Sequence, residues 1–506
     1  MSDPELARTP LTISPEPALQ PPPVERVVAP AAETTGADPA LQQAIERGGV
    51  RGSLRLLLRS GSGRVGLLLF GLMVGLSIWV VATYPRDFGV SRWSNPAVWA
   101  DNPKNAPPVW TRFFGDVVPH SVQTLEAPTE SRTIAAGEVR LFSLPIAAED
   151  VGSPASLSMT LSGVTFQGRA PAILASLVRP DGGRIRLASV PIAAPRSGEV
   201  GPYRRFFDTS ERVLLSSGPT PTQAISAFFA ERYPGTALTL PQGDLSAALF
   251  GRPADDGLGG IVPMAGEYLL EIQTVVADPA DEIAPIRVTV GGTAFGVMGT
   301  DGLGRDLWQG LLYGFPVALL IATLTAAAST LIGASLGIIS GYSGGGVDAT
   351  IQRFSDIVSN VPTLPLLIFL VTLLGRQLWL IMLVLVAFSW PGLTILVRSM
   401  VLQLRSGQLV ESARALGASR RRIMTRHVFP QVAPFIIAQM IFFAPGAILA
   451  EASLSFLGLG DPSIPTWGQM LESGFRTGAL YVGYWWWVLP PGLLIVLTAV
   501  AFMLLA

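Results

Sequence analysis

The chain has no cysteine and only two histidines among its 506 residues. The first absence excludes disulfides, thiolate zinc sites and cysteine nucleophiles. The second, with His120 and His427 as the whole supply, excludes a multi-histidine metal site. Charge is scarce too: 14% of residues, against roughly 25% in a soluble average. A formal net charge of −1 leaves no electrostatic footprint for a nucleic-acid partner. No G-x-x-x-x-G-K-S/T run occurs anywhere, so the chain carries no phosphate loop for ATP.

Apolar residues are abundant, at 49%, and they gather in membrane-length runs. The expected fold class is an all-α polytopic membrane bundle of six transmembrane helices with a large β-rich insertion, a β-sandwich by its strand pattern.

Residues 1–49, rich in Pro, Ala, Glu and Thr, contain too little apolar surface to fold and read as a disordered cytoplasmic tail. They lack the short apolar core of a signal peptide. Residues 50–84 are a lead-in and first span: Arg51, Arg55, Arg59 and Arg64 precede the apolar run Val65 to Thr83 and hold the N-terminus in the cytoplasm. The G-x-G-x-x-G match at Gly61 to Gly66 follows no strand and precedes a span, so it is not a nucleotide site.

Residues 85–298 are soluble in character and are expected outside the cell. Runs beginning at Glu138, Ala155, Ile173, Arg184, Glu267 and Ile286 alternate apolar and polar residues, the period of strands. Pro180 to Gly183 is a hairpin signal, and Pro221 to Tyr233 is helical with Ile225, Phe228, Phe229 and Tyr233 along one face. No catalytic constellation is visible. His120 stands alone, and Asp244, Asp255, Asp256, Asp278 and Asp281 are loop-type, solvated acids.

Residues 299–506 supply five more spans: Phe315 to Ser340, Asp356 to Leu374 with Pro362 and Pro365 kinking it, Leu378 to Leu404, Val432 to Leu457, and a last run reaching Ala506 behind the aromatic belt Trp485 to Trp487. The G-x-S-x-G at Gly341 to Gly345 lacks a preceding strand and a histidine partner, so it reads as a cytoplasmic turn. Glu451 and Arg398 are the polar groups within spans, expected to line a pathway or to serve structure.

One polar island, 405–430, interrupts the apolar half. Glu411 to Leu416 are helix formers, Gly417 suits a left-handed stop, Ser419 can cap a second helix, and Pro430 suits the start of the next span. Its arginines, with Arg420, Arg421 and Arg422 in a row, put it on the cytoplasmic side. The outer loops after Leu374 and Leu457 hold only Arg376 and Arg476.

Glu411, Ala413, Gly417 and Pro430 stand at the spacing of the coupling loop that carries Glu-Ala-Ala in bacterial ABC-importer permeases, which the island closely resembles. His427, in Arg426-His427-Val428-Phe429-Pro430, is similar to the oligopeptide, dipeptide and nickel branch. Ser412 and Phe429 depart from the pattern. Gly299, Thr300, Asp301, Gly304, Arg305 and Asp306 resemble that branch's signature before the core, and Gly458 to Gly468 resembles a third segment. The resemblance covers roughly 51–83 and 295–506 and says nothing of the insertion. Relatives continue past the last span, so the stop at Ala506 suggests truncation.

The resemblance implies a non-catalytic permease subunit of an ATP-driven importer in a bacterial or archaeal plasma membrane, with peptides as first-choice cargo. It implies no bound cofactor, because ATP is used by partner subunits. Those partners are a homologous second permease, ABC ATPase subunits and an extracytoplasmic substrate-binding protein, all within a lipid bilayer. Ala413, Leu416 and Gly417 would give the ATPase a small, close-approaching surface, and Glu411 with Arg420 to Arg422 would fix register. Two other classes stay open: a membrane-anchored extracytoplasmic binding or sensor protein, and a secondary transporter.

Overall fold

The computed structural model describes residues 58–114, 118, 120–135, 137–148, 153–234, 245–254 and 260–505. The tail expected over 1–49, and Asp244, Asp255 and Asp256, lie outside the described residues.

Helix α1 (Gly61–Thr83) carries a single charge, Arg64, in 23 residues. At about 1.5 Å per residue it reaches bilayer thickness. The chain then runs irregularly through short helical turns at Gly89–Trp93, Pro96–Trp99 and Val109–Phe113. Asn95 caps the second by accepting the Ala97 amide at 3.1 Å, and Trp93 and Trp99 are buried.

The alternating runs form antiparallel strands: β1 (Ser121–Leu125), β2 (Glu130–Ile134), β3 (Gly137–Ala148), β4 (Ser156–Leu161), β5 (Ala172–Val178), β6 (Arg184–Val190), β7 (Glu211–Leu214), β8 (Gly266–Val276) and β9 (Ile286–Gly291). One sheet runs β2-β3-β8-β5-β6 and another β1-β9-β4-β7. Inward residues of both, among them Phe142, Leu157, Met159, Ile173, Ile272 and Val288, belong to one buried cluster. The β5–β6 hairpin closes where the Arg179 amide donates to Gly183 O at 2.8 Å. Helix α2 (Pro219–Arg232) adds Ile225 and Phe229 to the same core.

At the edge of that core lies a feature without a pattern in the sequence. The Arg179 side chain is fully buried and donates to the carbonyls of Ala248, Leu249 and Gly251 at 3.1, 2.6 and 2.7 Å. Its guanidinium also lies over Phe228 and Phe229. A planar cation with five donors can tie three backbone carbonyls of this apolar, buried turn that would otherwise be unpaired.

The remaining chain is helical: α3 (Leu307–Ser343), α4 (Gly345–Ser359), α5 (Thr363–Leu374), α6 (Leu378–Ser389), α7 (Pro391–Arg405), α8 (Gln408–Ala415), α9 (Phe429–Phe456), α10 (Trp467–Arg476) and α11 (Trp485–Leu505). Among the described residues five helices, counting the continuous runs Leu378–Arg405 and Arg420–Phe456, are long and apolar enough to cross a membrane. A sixth crossing exists if α4 and α5 count as one. That pair differs from the expected kinked span: it is broken, with a bend of 71°. Pro362 lacks an N–H and disfavours helix at Val361, so the helix stops and restarts at Thr363.

Helices α3 and α7 approach most closely along Gly333, Gly337 and Gly341. A Cβ at each would lie 2.8 Å from the carbonyl oxygen of Trp390, Thr394 or Arg398 respectively. Small residues four apart permit this backbone contact, which supplies the dispersion that lipid cannot.

Candidate coupling loop and the polar ties of the bundle

The island is a helix, a left-handed stop and a second helix leading into a span. Gly407 turns the chain out of α7, and Gln408 to Ala415 then form α8. Gly417 has φ +75°, and the Ala418 amide reaches back to Ala413 O at 3.0 Å, closing the helix end. Ser419 accepts the Arg422 amide at 3.4 Å and starts Arg420–Ile423. Met424–Val428, which contains His427, is a π-helical stretch, and Pro430 sits in the first turn of α9, where no N–H is needed.

The faces of this loop are sharply divided. Val410, Ala413, Ile423 and Val428 are buried together with Val397 and Val401 of α7 and Val432 of α9. Leu416 is 88% exposed, and Glu411, Gly417, Arg420, Arg421 and Arg422 are exposed around it. Ala413 therefore departs from the expectation of an outward docking surface. It is 8% exposed, because in an eight-residue helix it lies three residues from Val410 on the inner stripe. Leu416 and Gly417 remain outward.

Immediately above the loop, Arg398 of α7 grips Asp348 of α4 with Nε and Nη2, both at 2.6 Å from the carboxylate oxygens. Ser340 of α3 also donates to Asp348, and Gln352 donates to Ser340 at 3.1 Å. Arg398 thus serves as a tie among α3, α4 and α7. Fifty residues separate the two partners, so no local spacing signals the pair; Asp348 reads from sequence only as the start of an amphipathic piece.

The signature residues tie the opposite end. Asp301 is fully buried, accepts the amides of Leu303 and Arg305 at 2.9 Å each, and pairs with Arg305 Nε at 2.5 Å. Thr300 donates to Pro103 O at 2.7 Å and accepts the Ala106 amide at 2.9 Å. Gly299 and Gly304 have φ of +73° and +79°. Asp306 caps α3, accepting the Trp308 amide at 3.0 Å. These residues knot the irregular segment after α1 to the head of α3.

Glu451 of α9 is buried at 4% exposure and accepts from Ser455 Oγ at 2.6 Å. Thr466, which caps α10, lines the same small pocket as Glu451. The carboxylate is thus held within α9 and faces the residues before α10, and Thr466 is a neighbour of this site that sequence reading missed. Among the described residues no cluster of three or more metal-ligating side chains exists.

Residues 333–506 match the family model described as the binding-protein-dependent transport system inner membrane component. The dipeptide transport system permease protein DppC of Bacillus subtilis (strain 168) is 36% identical over 205 residues, which cover 40% of this chain and 63% of the relative. The oligopeptide transport system permease protein OppC of Haemophilus influenzae is 39% identical over 177 residues, 35% of this chain and 57% of the relative. The chain thus covers less than two thirds of the length of each. An inward-facing structure of the MetNI methionine ABC transporter is 19% identical and covers 39% of this chain and 91% of its own, with a TM-score of 0.31, too low to carry an argument.

Proposed function

We propose that this chain, whose residues 333–506 are a domain of the binding-protein-dependent transport inner-membrane-component family, is one permease subunit of an ATP-driven peptide importer. It is a multi-pass membrane protein, with five or six membrane-length apolar helices among the described residues. The observation that carries the reading is the divided coupling loop, buried on Val410 and Ala413 and exposed on Leu416 and the arginines.

In this reading residues 1–49 and 405–430 face the cytoplasm, residues 85–298 form an extracytoplasmic β-sandwich, and 299–506 are the permease core. The arginine-rich inner segments and arginine-poor outer loops support that orientation. Leu416 and Gly417 enter a groove on a separate ATPase subunit, a helix-in-groove contact, and Glu411 and Arg420 to Arg422 set its register. Closure of the ATPases moves α8. The buried side of the loop and the Asp348–Arg398 tie hand that motion to α3, α4 and α7, which shift as packed rods between inward-open and outward-open states. A second permease completes the pathway, and an extracytoplasmic binding protein delivers the cargo. The names of the relatives above support peptides as that cargo.

The test is co-purification with the cognate ATPases and uptake in vesicles. Gly417→Val forces a β-branched residue into φ +75°, and Glu411→Ala removes the register charge. Both are expected to lose ATPase association and uptake while remaining in the membrane. Intact association and uptake in both variants would sink the reading.

A further inference from the structure

Away from the coupling loop, a cavity of about 570 Å³ opens among the segment 93–99, the signature, the turn between α5 and α6, and α10. Its size lies in the range of about 300–1,000 Å³ typical of small-molecule sites. Three guanidiniums line it, Arg305, Arg376 and Arg476, against one carboxylate, Glu472.

Two of those cations are already matched. Arg305 pairs with Asp301 at 2.5 Å and lies 4.3 Å from the Trp93 ring centre. Arg476 pairs with Glu472 at 2.9 Å. Arg376 is exposed, and among the described residues its side chain makes no ion pair or hydrogen bond. One solvent-facing fork of donors without a protein partner therefore remains at a cavity whose buried wall is aromatic, Trp93 and Trp99. A guanidinium so placed is matched bidentately by a carboxylate.

We propose that this cavity is a receiving site for the free C-terminal carboxylate of a short peptide, with Arg376 as its anchor. Gln469 on the same wall supplies both an acceptor and a donor for main-chain groups, Glu472 stays with Arg476, and the indoles accommodate an apolar side chain. The site rests on the importer reading for its extracytoplasmic position and for its peptide class. It makes no use of the coupling loop.

The experiment is calorimetric titration of the whole chain in lipid nanodiscs with the tripeptide Ala-Phe-Ala and with its C-terminal amide. The free acid is expected to bind roughly ten- to a hundredfold more tightly than the amide, the worth of a charge-assisted hydrogen bond. Arg376→Gln should erase that difference. Equal binding of acid and amide, no binding of either at millimolar concentration, or a difference that survives Arg376→Gln would overturn the proposal. A third arm uses Ala-Glu-Ala with an amidated end. If it binds as tightly as the free acid, the carboxylate belongs to an acidic side chain of a docking partner and the peptide-terminus assignment falls. Loss of the site with ATPase association intact would leave the importer reading standing. The converse result would separate the two in the other direction.

Discussion

The β-rich insertion and the helical bundle bury their apolar residues in opposite ways. In the insertion, Leu157, Met159, Leu161, Phe166, Ile173 and Leu177 are all fully buried in one cluster that draws on both sheets. In the bundle, Leu331, Leu373, Leu383, Leu493 and Met503 stand well exposed, even though other positions of the bundle, among them Ala322, Val397 and Val432, are buried. The insertion closes a core against water, where area removed from solvent stabilises. The bundle holds itself by close backbone approach and charged ties, and leaves the rest of its apolar surface to lipid or to another chain. One region buries its apolar residues within itself, and the other leaves many of them on its surface.

Breaking the insertion's self-sufficiency should have the largest effect. Arg179→Met leaves three buried carbonyls without donors and should cost about 3–5 kcal/mol in unfolding of the insertion. Denaturant titration followed by limited proteolysis reads it, and a shift below 1 kcal/mol would show that water replaces the guanidinium. The equivalent break in the bundle is steric. Gly337→Leu places side-chain atoms where a Cβ already lies 2.8 Å from Thr394 O, and overpacking costs about 1–3 kcal/mol. Gly446→Leu, whose Cβ position meets nothing within 4 Å, should leave the melting temperature unchanged in the same detergent.

How much of each region could be read in advance follows the same division. Strands β3, β5, β6 and β8 announce themselves by a period of two, and α1 and α9 by unbroken apolar length. In the loop, Gly417 and Ser419 signal their own positions because a left-handed stop and a cap are local demands. Ala413 turned inward because its side is set by contact with α7, which local pattern does not contain. The break between α4 and α5 was legible only as a kink: Pro362 and Pro365 mark where helix fails, and neighbouring helices decide how far the chain bends. The Asp348–Arg398 and Arg179 contacts join residues 50 and 69 or more apart, so only tertiary structure brings them together.

Smaller effects sharpen the comparison. Asp348→Asn should cost only about 1 kcal/mol of stability, since the pair is partly exposed. Under the proposed function, in which the tie transmits motion, uptake should nevertheless fall by more than ATP hydrolysis by the partner subunits. The charge reversal Asp348→Arg with Arg398→Asp should restore part of it, and equal loss of both rates would remove the transmission role. Smallest is a surface pair in the insertion. The Arg205 guanidinium, with the Arg196 amide, holds the Glu199 carboxyl down at about 2. A depressed carboxylate stabilises the fold above its ordinary value near 4.5, and that contribution is lost as pH falls from there through about 2. The melting temperature of the insertion should therefore drop slightly faster with acid in the parent than in Glu199→Gln; parallel curves would refute the pairing.

The measurement that bears most directly on the central claim uses Leu416, which is exposed and costs the fold nothing to change. Leu416→Cys is paired with single cysteines along the groove of the cognate ATPase, and disulfide trapping is followed with and without ATP. The chain has no cysteine of its own, so with partner subunits cleared of native cysteines every cross-link reports this contact. The account predicts cross-linking at one groove position, a change in its yield on ATP binding, and loss of uptake when the link is locked. No cross-link at any groove position, with uptake unimpaired, would contradict it.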